Sequence, residues 1–198
     1  MSMRIGIFLF EDIEALDFAG PYEVFTTASR VAQKSGMAAP FAVFSVSASG
    51  HAVRVRAGMK VIPDFTFEDT PAIDVLIVPG GVVTAEMQNR VVVDWIKDMS
   101  SNAKLIASVC TGVFLLAKAG VVTNQKVTTH WEDIADLRRQ FPALKVRENV
   151  RWVDEGQIVT SAGISAGIDM SLHLVERLAG KALAIATARQ MEFDWHEN

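Results

Sequence analysis

Short runs of consecutive apolar residues recur along the chain, separated by stretches with helical periodicity. Such runs are typical of strands buried on both faces of a sheet, whereas apolar positions three and four residues apart are typical of amphipathic helices. The predicted buried strands are residues 4–10, 41–47, 74–79, 104–109 and 126–131. The predicted helices are residues 21–35, 91–100, 111–118, 132–140, 165–179 and 181–193.

Two further segments have a different pattern. Residues 52–62 alternate apolar and polar positions, which predicts a small two-stranded unit with one solvent-facing side. Residues 150–161 predict a hairpin that turns at residues 154–156. The alternation of buried strands and helices favours an α/β fold with a mostly parallel sheet and helices on both faces. In such sheets, functional sites form at the carboxyl ends of the strands.

The composition fits one globular domain over residues 1–198, because 50% of the residues are hydrophobic and 21% are charged. The net charge of -4 gives no basic surface, so neither nucleic acid nor a membrane is expected as a partner. A single cysteine excludes an internal disulfide. The chain shows neither a signal-peptide core nor an apolar run of membrane-spanning length. We therefore expect a cytoplasmic protein.

The single cysteine, Cys110, lies where a predicted strand passes directly into a predicted helix. With Gly112 permitting close packing of the turn, this is the pattern of a nucleophile elbow, with Cys in place of Ser. Amide groups and the helix dipole at a helix start stabilise a thiolate, so the pattern predicts a reactive thiol. The alternative is that Cys110 is a small buried hydrophobic residue, as free cysteines commonly are.

Gly80 and Gly81 end the predicted strand that neighbours the elbow. They form either a simple turn or, together with the amide of Thr111, an anion hole for a developing negative charge.

Asp17 is a candidate general acid. Pro21 suits the first position of a helix, which makes Gly20 the cap and leaves Asp17 three residues too early to cap it. Leu16 and Phe18 flank the carboxyl and limit its access to water, so we expect its pKa to be raised. A carboxyl that carries a proton near the cysteine could then donate it.

The histidines differ in their predicted roles. His130 ends a predicted strand and could approach the cysteine, although a structural role beside Trp131 is the alternative. His173 falls with Asp169 and Glu176 on the polar, solvated side of its predicted helix. Because no pair of histidines has the spacing of metal ligands, we predict no metal.

Five segments of the chain resemble the ThiJ/PfpI superfamily, whose fold is that of class I glutamine amidotransferases. These segments are residues 16–25, 77–81, 108–112, 128–131 and 160–169. The resemblance implies a flavodoxin-like three-layer α/β sandwich with a nucleophile elbow at Cys110. It also implies a homodimer that acts on a small-molecule substrate and needs no cofactor.

Within the superfamily, the pattern is similar to the isonitrile (isocyanide) hydratases and to the amidase-like ligand domain of AraC-type regulators. Those regulators continue into a helix-turn-helix region of about a hundred residues. A chain ending at Asn198 leaves no room for one, which favours the hydratase group. PfpI-type peptidases carry a His directly after the Cys, where this chain has Thr111. The late His-x-Glu of amidotransferases has the wrong spacing at His173 and Glu176.

The resemblance therefore implies a hydro-lyase that converts isonitriles to N-substituted formamides, with Cys110 as the nucleophile and Asp17 as the general acid and base. The alternatives are a small-molecule sensor without catalysis and an oxidant-responsive protein that uses the same thiol. The residues expected to take part are Cys110, Asp17 and Thr111 in catalysis, and Gly80, Gly81, Thr111 and His130 in substrate binding.

Overall fold

A seven-stranded sheet forms the centre of the protein. The computed structural model describes residues 2–196. The strands in this part of the chain are β1 (Met3–Phe8), β2 (Phe41–Ser47), β3 (Val53–Arg54), β4 (Lys60–Val61), β5 (Phe65–Thr66), β6 (Val75–Val78), β7 (Leu105–Val109), β8 (Lys126–Val127), β9 (Lys145–Val146), β10 (Trp152–Asp154) and β11 (Ile158–Ser161).

The central sheet has the order β10-β11-β7-β6-β1-β2-β5, and every neighbouring pair is parallel except β10 with β11. This confirms the predicted mostly parallel α/β fold. Strands β6 and β7 lie near the middle of the sheet and are buried along their whole length, as their continuous apolar runs predict. Strand β1 pairs with β2 on one side and with β6 on the other, so the strand order reverses at β1. In α/β proteins, binding clefts open at such points.

Helices cover the sheet in two groups: α1, α6 and α7 contact one another, and α2, α3 and α4 contact one another. The predicted helical regions are confirmed, while the short α2 and the short strands β5 and β9 were not predicted. The strand predicted for residues 126–131 is only the two-residue β8, which pairs with β9 outside the central sheet. Among the described residues, no helix combines the length and apolarity needed to cross a bilayer. The helices are α1 (Ala15–Lys34), α2 (Thr84–Gln88), α3 (Arg90–Asn102), α4 (Gly112–Lys118), α5 (Ile134–Gln140), α6 (Ala166–Ala179) and α7 (Lys181–Gln190), with 3-10 helices at Arg56–Gly58 and Trp131–Asp133.

The start of α1 differs from the prediction. The helix begins at Ala15, so Pro21 lies inside it and Asp17 belongs to its first turn. The cause is a tertiary contact: the N–H of Glu14, the residue before the helix, donates to the carbonyl of Gly80 at 2.9 Å. That contact fixes the helix start from a distant part of the chain, and it outweighs the local signal of Pro21 for a first helical position.

The expected solvated face of α6 is instead packed against β10. Asp169 is fully buried and pairs with Arg151. The ring of His173 stacks on Trp152 with 3.9 Å between centroids, and its Nε2 lies 2.7 Å from an oxygen of Asp154. The polar spacing of this helix therefore marks a structural network, not a surface exposed to water.

The two smaller predictions are confirmed. Strands β3 and β4 form the antiparallel unit predicted for residues 52–62. Strands β10 and β11 form the predicted hairpin, in whose turn the N–H of Gly156 donates to the side chain of Asp154 at 2.8 Å.

Candidate active site

The predicted site residues come together at the carboxyl ends of the central strands. Gly80 follows β6 and Cys110 follows β7, and they are joined there by Gly163, which was not predicted and follows β11. Asp17 reaches the same place from the first turn of α1, which begins shortly after β1. Chain order therefore separates these residues widely, and the parallel sheet brings their strand ends to one edge.

Cys110 is the connecting residue between β7 and the turn that begins α4. Its φ of 55° lies in the left-handed region, which costs an L-residue on the order of 1–2 kcal/mol. A strand, a left-handed nucleophile and a helix in succession form the backbone geometry of a nucleophile elbow. Strain of this kind persists only where the surrounding structure holds it, and it is concentrated at functional sites.

Gly112 explains why the turn can be this tight. A Cβ at this position would overlap the carbonyl oxygen of Val78 and would approach that of Pro79 to 2.8 Å. The start of α4 therefore packs directly on the end of β6. This confirms the prediction that Gly112 permits close packing of the turn.

The Asp17 carboxyl lies wholly inside the protein, with an exposed fraction of 0%. Its Oδ2 accepts a hydrogen bond from the Gly80 N–H at 3.1 Å, whereas no described residue forms a hydrogen bond of standard geometry to its Oδ1. Burial raises the pKa of Asp17 to about 7, and hydrogen bonds from Gly80 and from the Cys110 thiol hold it below the value that burial alone would give. The predicted raised pKa is confirmed, and near neutral pH both the neutral and the ionised form of this carboxyl are present.

The thiol of Cys110 does not behave as the sequence predicts. Burial raises its pKa well above the ordinary value, and the charge of Asp17 raises it further. A hydrogen bond from the Thr111 N–H works in the opposite direction, but it is the smaller effect. The expected thiolate is therefore wrong for the resting protein, because a short helix start cannot offset burial of the sulfur beside a carboxylate.

The predicted anion hole is largely occupied by the protein itself. The Gly80 N–H is used by Asp17, and the Gly81 N–H donates to the hydroxyl of Thr111 at 2.9 Å. That hydroxyl in turn donates to the carbonyl of Gly81, also at 2.9 Å. Thr111 thus ties the glycine turn to the elbow, and its own N–H is left to face the sulfur.

His130 lies on the wall of the site, but not at a strand end. Strand β8 stops at Val127, and His130 instead precedes the 3-10 helix Trp131–Asp133. Its Nδ1 lies 3.4 Å from the N–H of Glu132, and oxygens of Asp133 and Glu132 lie 3.6 and 3.8 Å from the same nitrogen.

A cavity of about 350 Å³ opens over the thiol. This volume suits a small ligand. Among the described residues, four carboxylates and one guanidinium line it; the guanidinium, that of Arg56, pairs with Glu14 at 3.2 Å. Asp17 does not line the cavity and lies behind the sulfur. The lining combines apolar and acidic side chains: the apolar residues are Val82, Val83, Met87, Phe114 and Ile164, and the acidic rim consists of Glu14, Glu132, Asp133 and Asp136.

Two residues of the site were not singled out from the sequence. Thr129 donates its hydroxyl to the carbonyl of Cys110 at 2.9 Å. At Gly163, a Cβ would collide with the ring of His130 and would lie 3.2 Å from the Cys110 sulfur. Both residues fall in segments that carry the family resemblance, residues 128–131 and 160–169, so the signal was present without an assigned role.

Comparison with known proteins shows the family to which the chain is related. The model of the DJ-1/PfpI family matches residues 3–177. The isonitrile hydratase of Pseudomonas putida is 34% identical over 194 residues, which cover 98% of this chain and 79% of that protein.

Two other relatives differ in the share of their length that this chain spans. The HTH-type transcriptional regulator GbdR of Pseudomonas aeruginosa is 26% identical over 190 residues, which are 96% of this chain but 50% of the regulator. The crystal structure of a ThiJ/PfpI family protein from Pseudomonas syringae superposes with a TM-score of 0.86 at 26% identity, covering 100% of this chain and 77% of that one.

Proposed function

The chain belongs to the DJ-1/PfpI family, and within that family we propose that it hydrates isonitriles to N-substituted formamides. The observation that carries the proposal is the buried pair of Cys110 and Asp17 beneath a small cavity. The 34% identity to an isonitrile hydratase supports it.

The first step adds the thiol across the terminal carbon of the isonitrile. The thiol is protonated at rest, so its proton moves to Asp17, whose Oδ1 is buried and has a free acceptor site. The sulfur then forms a bond to the isonitrile carbon, and Asp17, which does not line the cavity, returns the proton to that same carbon through a water molecule beside the sulfur. The product is a thioimidate, R–N=CH–S–Cys110, and no other reagent is consumed.

The second step uses one water molecule. Its oxygen bonds to the thioimidate carbon as Asp17, through the same water relay, takes up one of its protons and passes it to the nitrogen. The carbon–sulfur bond then breaks, the hydroxyl proton returns to the sulfur, and the formamide R–NH–CHO leaves. The imidazole of His130 lies on the cavity wall, where it can form a hydrogen bond to the nitrogen, and the N–H of Thr111 faces the reacting sulfur.

The direct test is incubation of the purified protein with cyclohexyl isonitrile, with formamide followed by NMR. We expect turnover in the wild type and none in Cys110→Ala. Turnover that is equal in both proteins contradicts the proposal.

A small-molecule sensor without catalysis is the second candidate, because a regulator is also similar over almost the whole chain. Binding of an isonitrile without any formamide, in both the wild type and Cys110→Ala, favours this candidate. The oxidant-responsive alternative uses the same thiol, and a Cys110 left unmodified by mild peroxide, as read by mass spectrometry, would count against it.

A further inference from the structure

Cys110 is held at both of its peptide groups by residues outside its own strand and helix. Its N–H donates to the carbonyl of Ser161 at 3.2 Å, and its carbonyl accepts the hydroxyl of Thr129 at 2.9 Å. We propose that Thr129 is a positioning residue, whose hydroxyl keeps the nucleophile in its strained conformation and the sulfur in line with Asp17. The predicted effect of Thr129 on catalysis rests on the proposed function.

The need for such a contact follows from the backbone. A φ of 55° at a residue with a side chain is unfavourable, and relaxation of the peptide rotates the Cα–Cβ bond and carries the sulfur away. Thr129 is 1% exposed, so water does not replace its hydroxyl if the side chain loses it. The carbonyl of Cys110 would then lose its buried donor, and the reason to keep the strained conformation would weaken.

Thr129 is itself anchored independently of the elbow. The N–H of its neighbour Thr128 donates to the hydroxyl of Thr160 in β11 at 2.9 Å. The hydroxyl of Thr128 donates to the carbonyl of Arg147, also at 2.9 Å. The Thr129 hydroxyl therefore belongs to a segment that other parts of the fold hold in place. For this reason it can hold Cys110 in its strained conformation.

The same hydrogen bond connects the two sides of the cavity. Thr129 immediately precedes His130, so the bond to Cys110 joins the backbone of the nucleophile to the backbone that presents the imidazole. Loss of the hydroxyl should therefore disturb the geometry of the reacting groups more than the affinity of the cavity for substrate.

The test compares Thr129→Val, which removes the hydroxyl at nearly constant volume, with Thr129→Ser, which keeps it. Thr187→Val is the matched control, since Thr187 is also fully buried and donates to a carbonyl, that of Leu183, at 2.7 Å in α7. Each protein is assayed for kcat and KM with cyclohexyl isonitrile. The chain has one cysteine, so labelling with [3-¹³C]cysteine gives a single NMR signal whose pH titration reports on the thiol directly.

We expect Thr129→Val to lower kcat about 100-fold, the size of a misplacement of roughly 1 Å, with KM little changed. The thiol titration should move towards its ordinary value, because the sulfur leaves the neighbourhood of Asp17. Thr129→Ser should restore both properties, and Thr187→Val should resemble the wild type in both. If Thr129→Val does not fold, Thr129→Ala takes its place.

Two results overturn the inference: wild-type kcat and titration in Thr129→Val, or equal losses in Thr129→Val and Thr187→Val. If the wild type hydrates no isonitrile, the proposed function fails, while the titration of the labelled thiol still decides the role of Thr129.

Discussion

The carboxyl of Asp17 and the thiol of Cys110 form a buried pair in which the state of one group sets the state of the other. Burial raises the pKa of both groups, the charge of Asp17 raises that of Cys110 further, and the thiol lowers that of Asp17 by hydrogen bonding. With the pKa of Asp17 at about 7, both forms of the carboxyl are present at neutral pH, and the ionised form accepts the hydrogen bond of the Cys110 thiol. In this state the proton needed for the reaction is already shared between the two catalytic groups.

The rate of hydration should depend on the charge of Asp17. The proposed first step needs a carboxylate to accept the thiol proton, and the pKa of Asp17 is about 7. We therefore expect kcat/KM to rise with pH through about 7 and then to level off. Asp17→Asn should lose about 10²- to 10⁴-fold in rate, the usual contribution of a general acid or base. A profile of the same shape in the residual activity of Asp17→Asn would contradict this assignment.

The same carboxyl should destabilise the folded protein at neutral pH. Its pKa is raised from 3.8 to about 7 on folding, so the folded state binds the proton more tightly and stability falls as pH rises between these values. The loss amounts to at most about 4 kcal/mol for a shift of this size. Asp17→Asn should therefore be more stable than the wild type above pH 7 and should gain little at pH 4. Urea unfolding of both proteins across this range measures the difference, and a constant difference would refute the prediction.

The acidic rim should select against anionic substrates. Four carboxylates and one guanidinium surround the cavity, which makes a negatively charged ligand unfavourable there. Methyl isocyanoacetate and the isocyanoacetate anion differ mainly in charge, and we expect kcat/KM to favour the ester by about tenfold at low salt. The preference should shrink in Asp133→Asn and at high ionic strength. Equal kcat/KM values for the two compounds would show that the rim has no influence on selectivity.

Gly163 should be intolerant of even one methyl group. A Cβ there would collide with His130 and would lie 3.2 Å from the Cys110 sulfur. Gly163→Ala should therefore lower kcat strongly by displacing the imidazole. Gly50→Ala is the control, because its Cβ would meet only Thr66 at an ordinary contact distance of 3.7 Å. Activity assays with circular dichroism on both variants separate loss of the site from loss of the fold, and an active Gly163→Ala would contradict the described geometry.

Much of the fold could be predicted, because the buried strands are marked by continuous apolar runs. The start of α1 could not, since it depends on the bond between Glu14 and Gly80, which are far apart in the chain. The partners of His173 were missed for the same reason: its helix packs on β10, and local spacing does not show this.

The residues of the site were predicted more completely than their protonation states. The sequence places Cys110 at an elbow and gives Asp17 a raised pKa, but the protonation of the thiol depends on burial, which only the folded structure defines. The role of Thr129 was missed because no sequence pattern indicates which distant group a threonine hydroxyl will bond to. The homodimer and the cytoplasmic location remain predictions.

The central claim is that the sulfur of Cys110 bonds to the isonitrile carbon during turnover. Rapid-quench mass spectrometry with an isonitrile carrying ¹³C at its terminal carbon tests this most directly, because the chain has a single cysteine. We predict a transient mass increase of one isonitrile, located on the peptide that contains Cys110, which decays as labelled formamide appears. Labelled formamide that forms without this adduct, or forms undiminished in Cys110→Ala, would contradict the account.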